Sequence, residues 1–263
     1  MAEEPVPKPT LAAVAALHEM AGWMAHDSGA DSLARKHLGD ALRFARASGD
    51  THIGAQVRAS LSHLASHRGD AVAAISHARE GLGLLQTGPP HGRLTARLLA
   101  LHARGLVSTG KALEAHDALT AAEAVLGAES GHTPAWLSPF DTTSFAIEAA
   151  RCFLRMGDLD ETQARLREVL TDPPGRRVRS RAFAQLLLAT ALIGKGQIEE
   201  ACALTHEALD ETAGLGSLVV VDHLRHVAVL LRPRGATVVE APPLLDRLQC
   251  AIRERAWIGV PAP

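Results

Sequence analysis

The sequence predicts an all-α fold built from about five helical hairpins. Apolar residues recur at the spacing of amphipathic helices from about Leu11 to Leu231. No long stretch alternates with the period of two that half-buried strands require. A short phrase containing a glycine repeats five times in the same region, each time between two apolar helices. Such a glycine can end one helix in the left-handed conformation, so each phrase predicts the turn of a hairpin.

Each phrase consists of the glycine and a small residue five positions later, which allows the second helix to approach the first closely. In chain order the pairs are Gly29 and Ala34, Gly69 and Ala74, Gly110 and Ala115, Gly157 and Thr162, and Gly196 and Ala201. The glycines are 40, 41, 47 and 39 residues apart.

Other positions in each hairpin repeat as well. Seven residues before the glycine, in the first helix, lie Gly22, Ser62, Ala103, Ala150 and Ala189. Twelve residues after it, in the second helix, lie Ala41, Gly81, Ala122, Val169 and Ala208. Between the two small positions of the second helix, a large apolar position is occupied by Leu38, Leu119 and Leu166. The agreement between five copies predicts one repeated unit over residues 10–214.

Residues outside the repeats are expected to be terminal segments and caps. Residues 1–9 are predicted to be disordered, 215–232 to form a capping helix, and 233–263 to form a linker and a terminal amphipathic helix. That last helix, Pro242–Trp257, either caps the repeats or forms a homodimer contact, because the end of a repeat array must be covered.

Composition restricts the class of protein. The 263 residues carry a net charge of −2, with 47% hydrophobic and 21% charged residues, which is typical of a globular protein. There is no block of basic residues and only 3% aromatic residues, so we expect no direct nucleic-acid binding by this chain. No apolar run is long enough for a membrane span and no signal peptide is present, so we expect a cytoplasmic protein. Cys152, Cys202 and Cys250 are predicted to be buried thiols.

The repeat resembles the tetratricopeptide repeat, a helix-turn-helix unit that stacks into a right-handed solenoid. The resemblance covers about Leu11 to Gly214. The aromatic positions of that family's consensus are mostly Ala or Leu here, and Thr162 replaces the usual Ala in the fourth unit.

Longer segments resemble the C-terminal sensor half of actinobacterial Cro/repressor-type (XRE-like) helix-turn-helix transcriptional regulators. The resemblance is carried by AGWMAHDSGADSLARKHLGDALRFARASGD, SLSHLASHRGD, PAWLSPFD and RSRAFAQLLLATALIGKGQIEEACAL. It implies a sensor domain without the DNA-binding domain, either as an excised fragment or as a stand-alone relative.

The first helices of a tetratricopeptide solenoid line its concave groove, which is the usual binding face of a repeat protein. Twelve residues from the first four hairpins and one connecting loop are therefore candidate groove or lid residues. They are Glu19, Trp23, His26, Gln56, His63, His67, Arg97, Arg104, Trp136, Ser144, Glu148 and Arg151. We expect Arg97, Arg104 and Arg151 to hold a carboxylate, a phosphate or a peptide C-terminus. The alternative is that Glu148 and other acids pair with these arginines as internal structure.

The long segment Gly127–Asp141 is either a lid over the groove, with Trp136 as an apolar wall, or a packed connection in which Trp136 fills a gap. In the second case Asp141 caps the following helix.

Chemistry other than binding finds little support. The chain has no Gly-rich phosphate loop, no GxSxG and no HExxH motif, so we name no catalytic residue and no cofactor. His63 and His67 have the spacing of a zinc-binding pair, and His223 and His226 form a second close pair, but we expect no metal at either.

The sequence therefore predicts a binding domain for a small molecule or peptide, acting as the sensory module of a transcriptional regulator. A protein–protein interaction scaffold is an alternative. An enzyme of specialised metabolism is a further alternative, and it requires His63 and His67 to meet a third ligand or a bound substrate.

Overall fold

The computed structural model describes residues 6–128, 137, 139–171, 177–234 and 238–255. These residues form α-helices, turns and one 3₁₀ helix, with no strand among them. The helices are α1 (Lys8–Asp27), α2 (Asp31–Ser48), α3 (Thr51–His67), α4 (Ala71–Thr87), α5 (Gly92–Ser108), α6 (Ala112–Gly127), α7 (Thr142–Met156), α8 (Leu159–Leu170), α9 (Val178–Gly194), α10 (Ile198–Glu211), α11 (Leu218–Leu231), the 3₁₀ helix Arg232–Arg234, and α12 (Ala241–Glu254).

Each predicted glycine ends the first helix of a hairpin. The φ angles of Gly29, Gly69, Gly110, Gly157 and Gly196 lie between 77° and 83°, in the left-handed region that favours glycine. In two of these turns the next residue is an aspartate that caps the second helix. Asp70 accepts from the backbone N–H of Ala73 at 3.0 Å, and Asp158 accepts from that of Glu161 at 3.0 Å.

The small residues predicted from the repeat lie where two helices touch. Ala34, Ala74, Ala115, Thr162 and Ala201 are all fully buried. Gly22 shows why the position must be small, because a Cβ added to it would lie 2.8 Å from the side chain of Leu38 in the second helix. The all-α hairpin architecture expected from the sequence is confirmed.

The described residues group into two compact units. The first contains residues 6–26 and 30–145, and the second contains residues 27–29 and 146–255 within the described ranges. In the first unit, Leu38 packs with Val57 and Leu61, and Leu94 and Leu98 pack with α3 and with Leu137.

The core of the second unit is built from residues of the helices α7 through α12. Leu166, Leu192 and Leu224 are fully buried there. The terminal helix α12 belongs to this core, since its Leu244 and Leu248 are also fully buried. Leu245 and Ile252 pack beside them. The last helix therefore uses its apolar face within its own chain.

Two expectations need correction. Helix α1 begins at Lys8, so Lys8 and Pro9 are helical rather than part of a disordered segment, and proline is tolerated in a first helical turn. Cys250 is exposed, because it lies on the polar face of α12, whereas Cys152 and Cys202 are buried as expected.

No helix in the described ranges combines the length and the apolar character needed to cross a membrane.

Candidate functional site

The first helices of the first three hairpins, α1, α3 and α5, place eight side chains in one contiguous group, here called the polar cluster. On α3 its members follow the helical spacing of four, three and four residues, which brings them to one face. The polar cluster consists of Glu19, Trp23, His26, Gln56, Ser60, His63, His67 and Arg97.

A chain of hydrogen bonds joins three helices in the buried part of the polar cluster. Arg97 donates from Nη1 to Oε1 of Gln56 at 2.8 Å, and Gln56 donates from Nε2 to Oε1 of Glu19 at 3.1 Å. Ser60 donates to the same carboxylate oxygen at 2.5 Å. Glu19 is 3% exposed and Gln56 is fully buried, so a neutral amide connects a buried carboxylate to a buried guanidinium. Arg97, which is 9% exposed, is thus partly committed to internal structure.

Trp23 forms the aromatic side of the polar cluster. Its Nε1 donates to Oγ of Ser60 at 2.8 Å, and the guanidinium of Arg97 lies 5.8 Å from its ring centroid. The ring of His63 lies 4.7 Å from it, between centroids. Trp23 and His63 are half-buried and His67 is exposed, so these rings form the accessible surface of the cluster.

Three histidines meet next to Trp23. His26 is 3% exposed, and its ring centroid lies 5.6 Å from that of His63 and 4.8 Å from that of His67. Its Nδ1 donates to Asp31 at 2.9 Å, at the start of α2. Its Nε2 is buried and has no hydrogen-bond partner among the described residues. In the neutral ring this nitrogen is an acceptor, which a donor group of a ligand could satisfy.

The histidine positions bear on metal binding. Within the described ranges, no three His, Cys, Asp or Glu side chains have an arrangement that could hold a metal ion. His223 and His226 separate, because His223 accepts from Arg151 while His226 is exposed.

The other predicted site residues lie elsewhere. Arg104 is half-buried on α5, two turns beyond Arg97. Ser144 belongs to the start of α7, where its N–H and hydroxyl both donate to Asp141, at 3.0 and 2.9 Å, so Asp141 caps this helix. Trp136 and most of the segment Gly127–Asp141 lie outside the described residues, so the lid remains a prediction.

The second unit contains Glu148 and Arg151 on α7. Arg151 approaches Glu148 at 3.7 Å, donates to Nε2 of His223 at 3.1 Å, and lies 5.3 Å from the ring centroid of Phe183. The expectation that acids pair with the arginines therefore applies to Arg151. That a ligand bridges Arg97, Arg104 and Arg151 stays a prediction.

The buried thiol of Cys202 is a poor nucleophile. Burial raises the pKa of the Cys202 thiol, and Glu240 and Glu199 raise it further, so the thiol stays protonated.

Comparison with known proteins bears on the fold. No protein-family model and no curated protein matches the chain. A solved structure does match, that of a Rap protein complexed with Competence and Sporulation Factor. The match has a TM-score of 0.62 at 14% identity and covers 92% of this chain and 75% of the Rap chain. The fold is a tetratricopeptide-like helical repeat. At 14% identity, the similarity to the Rap protein is evidence about the fold alone.

Sequence reasoning missed Ser60, which connects Trp23 to Glu19. A signal was present, since Ser60 lies four residues after Gln56 and three before His63, on the face already selected. Serine as a residue type indicates no particular binding chemistry, so the sequence alone does not single it out.

Proposed function

We propose that this chain binds a small molecule or peptide on the polar cluster and acts as the sensory module of a transcriptional regulator in the cytoplasm. The observation that carries the proposal is the polar cluster itself. Seven residues selected from the sequence as groove residues meet in the first unit together with Ser60. Glu19, Gln56 and Arg97 form a buried, hydrogen-bonded base, and the rings of Trp23, His63 and His67 form its accessible surface.

The cluster has the two properties of a binding site. Its base is preorganised, because Glu19, Gln56 and Arg97 are fixed by mutual hydrogen bonds. Its surface offers ring faces from Trp23 and His63, and an accessible imidazole from His67. Rings that are half-buried on a polar base suit a ligand with both an apolar part and hydrogen-bonding groups.

Two likenesses support the regulatory role. The sequence resembles the sensor half of helix-turn-helix regulators, and the Rap protein with a similar fold was solved in complex with a factor. A change in repeat curvature on binding would transmit the signal, since stacked repeats shift between arrangements that a ligand can favour.

The role in regulation is tested by transcript profiling in the native host. Deletion of the gene should change the transcription of a defined set of genes, and expression of the wild-type chain should restore it. The double variant His63→Ala, His67→Ala should fail to restore it at equal protein abundance. His116→Ala is the matched control, because His116 is an exposed histidine on the second helix α6, and it should restore fully.

Two outcomes would contradict the proposal. One is an unchanged transcript profile in the deletion strain. The other is full restoration by the double variant, which would separate regulation from the histidines of the polar cluster.

A further inference from the structure

The second unit contains a pocket that the polar cluster does not include. Its volume is about 500 Å³, within the range of about 300–1,000 Å³ that is usual for small-molecule sites. It lies where the last turns of α7, α9 and α11 meet the first residue of α8 and the 3₁₀ helix. We propose that this pocket binds a small organic acid with an apolar body, whose carboxylate is held at the rim by His226 and Arg234.

The walls of the pocket are apolar. Leu154 and Leu230 pack on the core of the second unit, yet both remain half-buried because the pocket opens beside them. The other apolar walls are Leu159, Ile193 and Pro233. An apolar ligand body would remove these side chains from water, and burial of that kind is the main source of affinity in such sites.

The rim of the pocket carries two basic side chains. His226 and Arg234 are both exposed, and the lining residues that the structure describes include no acidic side chain. The remaining polar lining residue is Thr190, whose hydroxyl donates to the carbonyl of Leu186 at 2.9 Å and so adds no charge. A guanidinium and an imidazole beside an apolar cleft favour a carboxylate over an ammonium or a neutral head group.

The proposal is independent of the polar cluster, because its residues all belong to the second unit. It can fail while the proposed function holds, and the reverse is also true.

Isothermal titration calorimetry of the full chain tests the ligand class with three probes that share a ten-carbon tail. Decanoate should bind saturably at one site per chain, at concentrations below micelle formation. Decyltrimethylammonium and decanol should bind at least tenfold more weakly. Equal binding of all three, or no saturable binding of decanoate, would overturn the proposal.

Variants then test the location. His226→Ala with Arg234→Ala should weaken decanoate binding about tenfold, because a charge-assisted contact is lost. Arg225→Ala is the matched control, since Arg225 is an exposed arginine next to His226 that pairs with Asp222 and does not line the pocket. Leu230→Trp, and separately Leu154→Trp, should abolish binding by filling the pocket while the melting temperature stays near that of the wild type. Unchanged affinity in the double variant and in both tryptophan variants would place the ligand elsewhere.

Discussion

The indole of Trp23 donates a hydrogen bond to the hydroxyl of Ser60, 37 residues further along the chain, at 2.8 Å. The same hydroxyl donates to the buried carboxylate of Glu19. Ser60 is therefore the link between the accessible aromatic part of the polar cluster and its buried charged base.

Substitution of Ser60 should lower the free energy of unfolding by a large amount for so small a side chain. Ser60→Ala removes a donor to a buried carboxylate and leaves the Trp23 indole without its acceptor, so we expect a loss of about 2–3 kcal/mol in the free energy of unfolding. Urea denaturation measures this. Ser108→Ala is the control, because Ser108 is exposed and donates to the Arg104 carbonyl of its own helix, so its effect should stay within about 0.5 kcal/mol. Equal free energies of unfolding for the two variants would show that the hydrogen bonds of Ser60 to Trp23 and Glu19 do not stabilise the fold.

The close contact within the first hairpin predicts a different response at two glycines. Gly22→Ala places a methyl group 2.8 Å from Leu38, so we expect a loss of about 1–3 kcal/mol. Gly39→Ala adds a methyl group where nothing lies within 4 Å, so helix propensity should raise stability by about 0.5–1 kcal/mol. Thermal unfolding measures both changes, and a gain in stability from Gly22→Ala would contradict the packing described for this hairpin.

Two fully buried glutamines should respond in opposite directions. Gln185 has no hydrogen-bond partner at either end of its amide among the described residues, so Gln185→Leu should stabilise the chain by about 1–3 kcal/mol. Gln56 joins Glu19 to Arg97, so Gln56→Leu should destabilise it by about 3 kcal/mol. Chemical denaturation of both variants decides the point, and a change of the same sign in the two would refute it.

The pH dependence of stability should contain a contribution from His77. Burial, followed by the charge of Arg58, lowers the pKa of this half-buried histidine, and Arg58 donates to its Nδ1 at 2.9 Å. Below a pH of about 6.5, the unfolded chain binds a proton at His77 that the folded chain does not. The contribution of His77 to the free energy of unfolding is therefore complete above that pH and decreases as the pH falls. In His77→Gln the free energy of unfolding should decrease less steeply between pH 6.5 and 5. The exposed His116→Gln is the control, and an unchanged slope in His77→Gln would contradict the assignment.

Much of the fold was readable from the sequence, because the repeat constrains the backbone at fixed spacings. The left-handed glycines and the small buried residues each follow from local geometry, and they recur in five hairpins. The meeting of Trp23, Gln56 and Arg97 was also predictable, since the helical period selects one face of each first helix.

Other features could not be read from the sequence. The partner of each polar side chain depends on its rotamer. In a sequence, a glutamine bonded to a buried acid, as Gln56 is to Glu19, looks the same as Gln185, which has no partner among the described residues. The pocket beside Leu230 forms where the ends of three helices leave a space between them. No residue type in the sequence indicates such a space, because it depends on how the helices pack.

The central claim is that the polar cluster holds a ligand, and native mass spectrometry of the chain purified from its own host tests it most directly. Wild-type protein and the His116→Ala control should retain a bound small molecule or peptide that is released on denaturation. The variant His63→Ala, His67→Ala should show the mass of the chain alone. A ligand retained equally by that variant, or no ligand on the wild-type chain, would contradict the claim.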